Sequence, residues 1–376
     1  MRDIKAHTGL RGIAAMAVFL GHAEFDRLWH GAFWLSGIYS FFYWQNPAVD
    51  LFFMLSGFIL NYVYIKGRRA TWRTYFSARF ARICPLYYAG LVAVLAMNVV
   101  SAHFGHLTSA SHDFKPSVLL PNLAMVQEWP VPGFVGSINV PSWSISVEFF
   151  LYIFVFPLLA WILSRRRLSR TASIAILVVA ALIDGAANRG ESPFPFNIQY
   201  TGLLRGITGF TAGFLICELV FNREESAISW PAEIGLVIVT LALLPFPVLH
   251  VFLPLPFAAL IAVTFLPKSR LGRLLGSPPF HYLGGLSYSI YIWQYPVLKA
   301  STLAFGLRQM GASSTGGESE SMSFDHKLLY CAGTCFALVV VANVSYYWFE
   351  SPLRRILRRP IRTWFTVQSV PQSAGL

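Results

Sequence analysis

The chain has 376 residues, of which 55% are hydrophobic, 16% aromatic and only 12% charged, with a formal net charge of +12. Soluble domains carry about a quarter charged residues, so this composition excludes an ordinary soluble domain and points to a chain that crosses a membrane many times. The positive charge would suggest nucleic acid in a soluble protein; here the cations fall in short clusters between apolar runs, which is a topology signal instead.

Cys84, Cys217, Cys331 and Cys335 all lie in or beside apolar runs. Cys331 and Cys335 are one helical turn apart, but no further thiol or histidine completes a metal-ligand set. They read as small packing residues, with no disulfide and no structural metal implied.

Apolar runs divide the chain into about ten spans, with rough limits 9–26, 47–65, 83–101, 145–163, 171–187, 201–221, 232–246, 249–266, 280–305 and 328–350. Pro245, Pro247, Pro254 and Pro256 punctuate the seventh and eighth, which suits a tight hairpin. This count puts the basic clusters on one side: Arg2 and Lys5, Lys66 to Arg82, Arg165 to Arg170, Lys268 to Arg273, and Arg354 to Arg362. The positive-inside rule then places both termini in the cytoplasm and the chain in the cytoplasmic (inner) membrane. The expected organisation is an all-α membrane bundle over residues 1–359 and a short cytoplasmic tail over 360–376, with no internal repeat and no appended soluble domain. The longest outer segment, Ser101 to Trp143, holds His103, His106, His112 and Asp113. These read as scattered polar loop residues in preference to a metal site. Gly311–Ser323 reads as a flexible polar loop.

Within the first span, Thr8 to Glu24 carries a cation near its start, Arg11, and an imidazole near its end, His22. Eleven helical steps at about 100° return His22 to within about 20° of Arg11, so the two share a face, about 16 Å apart along the axis. In a hydrocarbon core about 30 Å thick, that separation reaches from one surface to the middle or beyond. A flanking cation with a satisfied histidine is the plain structural alternative. A cleaved secretory signal is another, weakened by the many spans that follow.

Further polar residues recur at helical spacing. Arg79 and Arg82, three apart, face one way at the cytoplasmic entry of the third span. With Arg11 they form three guanidiniums at one level, suited to a polyanion, although positive-inside anchoring uses the same residues. Asp50 opens the second span from outside. Ser144 and Glu148, just after Trp143, share a face of the fourth. Either carboxylate would fix a histidine tautomer; for Asp50 a structural ion pair with Arg205 is the competing expectation. Ser287, Tyr288, Tyr291 and Gln294 put hydroxyls and an amide along the ninth span, where they either line a cavity or link helices, and Gly284 and Gly285 suit close packing. Glu350 ends the last span beside Arg354 and Arg355 and reads as a surface pair.

The polar residues thus form two poles, a cationic cytoplasmic one and an acid–base one nearer the outside. A donor with a phosphate-rich head and a thin reactive arm, such as an acyl coenzyme A, would bridge them, with His22 taking the proton of an attacking hydroxyl.

At these residues the chain resembles the acyltransferase-3 family of integral membrane acyltransferases. The likeness runs from Leu10-Arg11-Gly12 to Glu350-Ser351-Pro352. It includes the Arg11–His22 spacing, the Arg79–Arg82 pair, the block from Val49 to Phe58, and Ser144 with Glu148. The resemblance implies transfer of an acyl group, typically acetyl, from cytoplasmic acyl-CoA to a hydroxyl of a carbohydrate or glycolipid acceptor. It implies His22 as base, Ser144 and Glu148 in the catalytic region, and Arg11, Arg79 and Arg82 on the donor. Acyl-CoA is then a co-substrate, with no resident cofactor, no metal and no nucleic-acid partner. Asp50, Trp143, Arg205, Ser287, Tyr288, Tyr291 and Gln294 are expected to line the cavity. One departure stands out: Gln294 occupies the place of a histidine common in the family's span-nine block, and an amide cannot titrate. No fused hydrolase-like domain is expected, so the acceptor binds here or the acyl group passes to a partner protein. The rival readings are a glycolipid transporter using the same polar residues, and a non-catalytic scaffold.

Overall fold

The computed structural model describes residues 4–23, 46–67, 71–103, 113–131, 136–165, 169–187, 198–221, 223, 228–305 and 324–363. Among them the regular elements are all helical, and no strand occurs. They are α1 (Lys5–His22), α2 (Asn46–Leu60), α3 (Trp72–His103), the short α4 (Pro116–Ala124), α5 (Trp143–Phe150), α6 (Phe156–Arg165), α7 (Arg170–Ala187) and α8 (Ile198–Val220). Then follow α9 (Trp230–Leu243), α10 (Pro254–Phe265), the short α11 (Arg270–Leu275), α12 (Pro278–Ala304), α13 (Phe324–Val344) and α14 (Ser351–Thr363). Three helices pass through π-helical turns, at Asn61–Lys66 after α2, Leu151–Val155 between α5 and α6, and Ser345–Glu350 between α13 and α14.

Five of these rods are long and apolar enough to cross a membrane: Pro47–Lys66, Trp72–His103, Val140–Arg165, Thr201–Val220 and Asp325–Leu357. Thr171–Ala180, Trp230–Leu243 and Leu249–Phe265 are apolar but shorter. The helices α1 and α12 lie where the first and ninth spans were expected and carry much of the polar machinery. The proline-rich stretch between α9 and α10 is a single 3-10 segment, Pro247–Phe252, so these two short helices are tightly joined.

Several helices extend beyond their expected limits. The third begins at Trp72 instead of 83, and the fourth begins with a 3-10 turn at Val140 instead of 145. The last continues to Thr363, past the expected start of the tail, while residues 364–376 lie outside those described.

Packing is closest along two seams. The helix α1 lies mainly on α12, and α2 on α8. At the first seam a Cβ on Gly284 would sit 1.9 Å from the Thr8 carbonyl oxygen, and one on Gly12 would sit 2.6 Å from the Gly284 nitrogen. The second is as tight: a Cβ on Gly213 would meet the Met54 oxygen at 1.8 Å. No side chain fits at such crossings, so backbone touches backbone, as small residues permit between membrane helices. The neighbouring Gly285 is different, with nothing nearer than the Tyr346 hydroxyl at 3.7 Å. Ala15, Phe19 and Ala23 of the α1 stretch share a core with Leu286, Ile290, Val297 and Leu298 of α12.

Candidate active site

The three arginines expected to act together do converge. Arg11 of α1 and Arg79 and Arg82 of α3 line one narrow cavity of about 60 Å³. Ser56, Ser144, Glu148, Tyr152, Ser287, Tyr288 and Tyr291 supply its other polar walls, and Phe52 and Phe53 part of its apolar one. The early start of α3 puts Arg79 and Arg82 two turns inside a helix instead of at its rim. The early start of the Val140–Arg165 rod puts Glu148 eight residues along it, about 12 Å. The carboxylate and the guanidiniums meet in this one cavity.

Arg79 and Arg82 are held by aromatic faces together with a hydroxyl or a carboxylate. Arg79 donates from Nη2 to the Tyr64 hydroxyl at 3.3 Å, and its guanidinium lies 5.5 Å from the Tyr64 ring centre and 5.8 Å from that of Tyr152. Arg82 lies 5.6 Å from the Tyr288 ring centre and 3.7 Å from Glu350 Oε1. Glu350 is only 3% exposed; it accepts from the Ser289 hydroxyl at 2.7 Å and from Arg354. The expected pairing with a neighbouring arginine is present, but not at the surface: Glu350 is a buried carboxylate tying α12, α14 and Arg82 together. Glu148 accepts from Ser56 at 3.0 Å and from the Tyr152 hydroxyl, and stands close enough to Arg11 to attract it. Tyr288 donates to the Ile83 carbonyl at 2.6 Å, which fixes α12 against α3.

The three π-helical turns contribute Tyr64, Tyr152 and Glu350, one residue each to this constellation. A π turn widens a helix and re-aims its side chains, and such turns often mark functional sites. Sequence reasoning missed Tyr64 and Tyr152 as arginine partners, because a π turn has no local signature. The one available signal was Tyr152 standing four residues after Glu148 on the same helix.

Two buried donors in this wall lack a hydrogen-bond partner: Arg79 Nε and the Ser287 hydroxyl. Four guanidiniums, counting Arg354, meet the two carboxylates Glu148 and Glu350, so the region is net positive. A cavity with spare donors and spare positive charge suits an acceptor-rich anion.

In the cavity wall the Ser144 and Tyr291 hydroxyls share a hydrogen bond of 2.6 Å. One turn further along α12, the Gln294 amide nitrogen donates to the Tyr291 carbonyl at 3.0 Å, and the Gln294 side chain faces the His22 ring. His22 Nδ1 lies 2.9 Å from the Val18 carbonyl oxygen. A carbonyl only accepts, so Nδ1 carries the hydrogen and Nε2 the lone pair.

Neither carboxylate expected beside His22 stands there. Glu148 sits with the arginines, and Asp50, 1% exposed, accepts from Arg205 Nε at 2.9 Å and Nη2 at 2.8 Å. Removing one partner of such a buried pair costs roughly 3–5 kcal/mol, so Asp50 and Arg205 are structural in place. Trp143 packs against this pair, its ring centre 5.6 Å from the Arg205 guanidinium. Asp50, Trp143, Arg205 and Gln294 are therefore not among the walls of the arginine cavity, whereas Ser287, Tyr288 and Tyr291 are.

Among the described residues no three His, Cys, Asp or Glu side chains gather as a metal site. His106 and His112 lie outside those residues, and Asp113 accepts from Asn98 at 2.5 Å. In the same outer segment, Glu128 is 2% exposed and accepts from Ser137 at 3.2 Å. Burial pushes its carboxyl up to about 7.

Comparison with known proteins places the chain in a family. A family model described as an acyltransferase domain matches residues 4–347. The chain is 34% identical over 152 residues to an acyltransferase of Streptomyces mycarofaciens, covering 40% of this chain and 38% of that protein. It is 22% identical over 387 residues to a peptidoglycan O-acetyltransferase of Listeria monocytogenes, covering 92% of this chain and 55% of that one. It is also 26% identical over 278 residues to an exopolysaccharide production protein of Rhizobium meliloti, covering 71% and 81%. The chain thus spans about half the length of the peptidoglycan-modifying relative. No solved structure matches it.

Proposed function

The chain belongs to the family defined by that acyltransferase domain, and from this premise we propose that it is a membrane O-acyltransferase. It takes an acyl group, in the simplest case acetyl, from cytoplasmic acyl-CoA and delivers it to a hydroxyl of an extracytoplasmic carbohydrate or glycolipid. The observation that carries this proposal is the cavity shared by Arg11, Arg79 and Arg82, with the unpartnered donors Arg79 Nε and Ser287 Oγ in its wall. Phosphate oxygens of a coenzyme A head would satisfy those donors. The phosphate-rich head is held at the three arginines, and the thin thioester arm leads on from them toward His22.

His22 is on the same face of α1 as Arg11 and is linked through Gln294 to Tyr291 of the cavity wall. Its Nε2 takes the proton of the acceptor hydroxyl as that oxygen bonds to the acyl carbonyl carbon. The C–S bond then breaks, and the thiolate leaves with the proton that His22 returns. Holding donor and acceptor along one rigid stripe supplies much of the acceleration. The proposal includes about ten spans with both termini in the cytoplasm, supported by the one-sided basic clusters.

The test uses purified protein in lipid, radiolabelled acetyl-CoA and an extracted glycan pool, comparing wild type with His22→Ala. Label reaching glycan with wild type alone is the expected result. Equal transfer by both would remove the histidine mechanism. A wild-type protein that binds no acyl-CoA of any chain length would favour a transporter.

A further inference from the structure

Gln294 is wholly buried, and nothing so far gives it a task. Its place is set by the α1–α12 seam. Gly12 touches the backbone at Leu283 and Gly284, and ten residues further along each helix His22 stands level with Gln294. The two helices therefore run in the same direction, and the pairing does not depend on a flexible loop. The amide orientation is fixed as well. Nε2 donates to the Tyr291 carbonyl at 3.0 Å, which leaves Oε1 as the free end. Oε1 is buried and has no closed hydrogen bond. A buried amide oxygen left open is costly unless some state of the molecule satisfies it.

His22 offers that state. Its Nδ1–H is taken up by Val18, so a proton gained in catalysis arrives on Nε2. On the acyltransferase assignment above, we infer that Gln294 is the positioning residue of His22: its Oε1 accepts a hydrogen bond from the Nε2–H of the imidazolium formed when the acceptor hydroxyl is deprotonated. The neutral ring has no hydrogen to give at Nε2, so the bond exists only after proton transfer. It therefore stabilises the transition state more than the ground state. No proton passes to the amide, which cannot titrate; the proton on His22 returns to the leaving thiolate. The charged groups of neighbouring helices do not compete for this task. Asp50 is closed on Arg205, Lys299 donates to Asn98, which also holds Asp113, and Glu350 holds Arg82 and Arg354.

The experiment measures kcat, donor KM and equilibrium acyl-CoA binding for wild type, Gln294→Leu, Gln294→Glu and His22→Ala in lipid. Gln294→Leu removes the oxygen at similar size and is expected to lower kcat roughly tenfold or more, with donor KM and binding unchanged. Gln294→Glu keeps an oxygen at the same place and is expected to restore most of kcat. Unchanged donor binding counts the folded protein, which separates loss of chemistry from loss of structure. If Gln294→Leu fails to fold, Gln294→Glu decides: a kcat as low as that of His22→Ala overturns the inference. Wild-type kcat in Gln294→Leu, with His22→Ala inactive, overturns the positioning role alone. Full turnover in His22→Ala overturns both the role and the acyltransferase mechanism.

Discussion

Arg82 is held between a ring and a buried carboxylate, and that arrangement decides what its loss would do. It stands over Tyr288 and near Glu350, which is itself shared with Ser289 and Arg354. Arg79 leans instead on the rings of Tyr64 and Tyr152. Exchanging both arginines for alanine is expected to raise the donor dissociation constant at least tenfold, as two charge-assisted contacts of 1.5–3 kcal/mol in order of magnitude disappear. Titration of acetyl-CoA into the purified variant measures it, and an unchanged constant would sink the phosphate-clamp idea. Much of this was legible in the sequence. Arg11, Arg79, Arg82, Ser144 and Glu148 stand out because charged and hydroxyl groups are rare in apolar runs, and they do meet in one cavity. The partners were not legible. Tyr64 and Glu350 come to α3 from other helices, and one aromatic residue in a chain that is 16% aromatic carries no signal.

At the scale of an element, the outer segment around α4 carries a titration of its own. Glu128 is buried with Ser137, its backbone N–H donates to the Ser146 hydroxyl at 3.1 Å, and its carboxyl is pushed up to about 7. A carboxyl raised above its unfolded value stabilises fully below about 4.5 and loses that contribution as pH rises through 7. The segment is therefore expected to open more readily at pH 8 than at pH 5, by up to about 3 kcal/mol. Hydrogen exchange over residues 113–131 would measure this, and Glu128→Gln should flatten the dependence. An equal pH response in that variant would assign the effect elsewhere. The helix limits teach a related lesson. Apolar runs located the rods but missed their starts, because Trp72 to Arg82 is polar enough to read as a loop and is nevertheless helix. Tertiary packing of Tyr75 and Ala81 fixes that extension, which hydropathy alone does not register.

For the whole molecule, the one-sided basic clusters make a topological prediction. A reporter fused after Leu376 is expected on the cytoplasmic side, and an external reporter would overturn either the span count or the orientation. The glycine seams make the interior of the bundle stiff, since backbone contact at Gly284 and Gly213 leaves no side chain to adjust. The three π turns are the opposite kind of feature. Each holds about one residue more than an α-helical turn would. Deleting that residue would restore ordinary winding and swing everything on one side by about 100°. Tyr64, Tyr152 and Glu350 would be turned away from the arginines while the glycine crossings stayed seated. The cationic mouth is thus a set of three small dials mounted on a rigid frame, and it can be detuned without dismantling the frame that carries it.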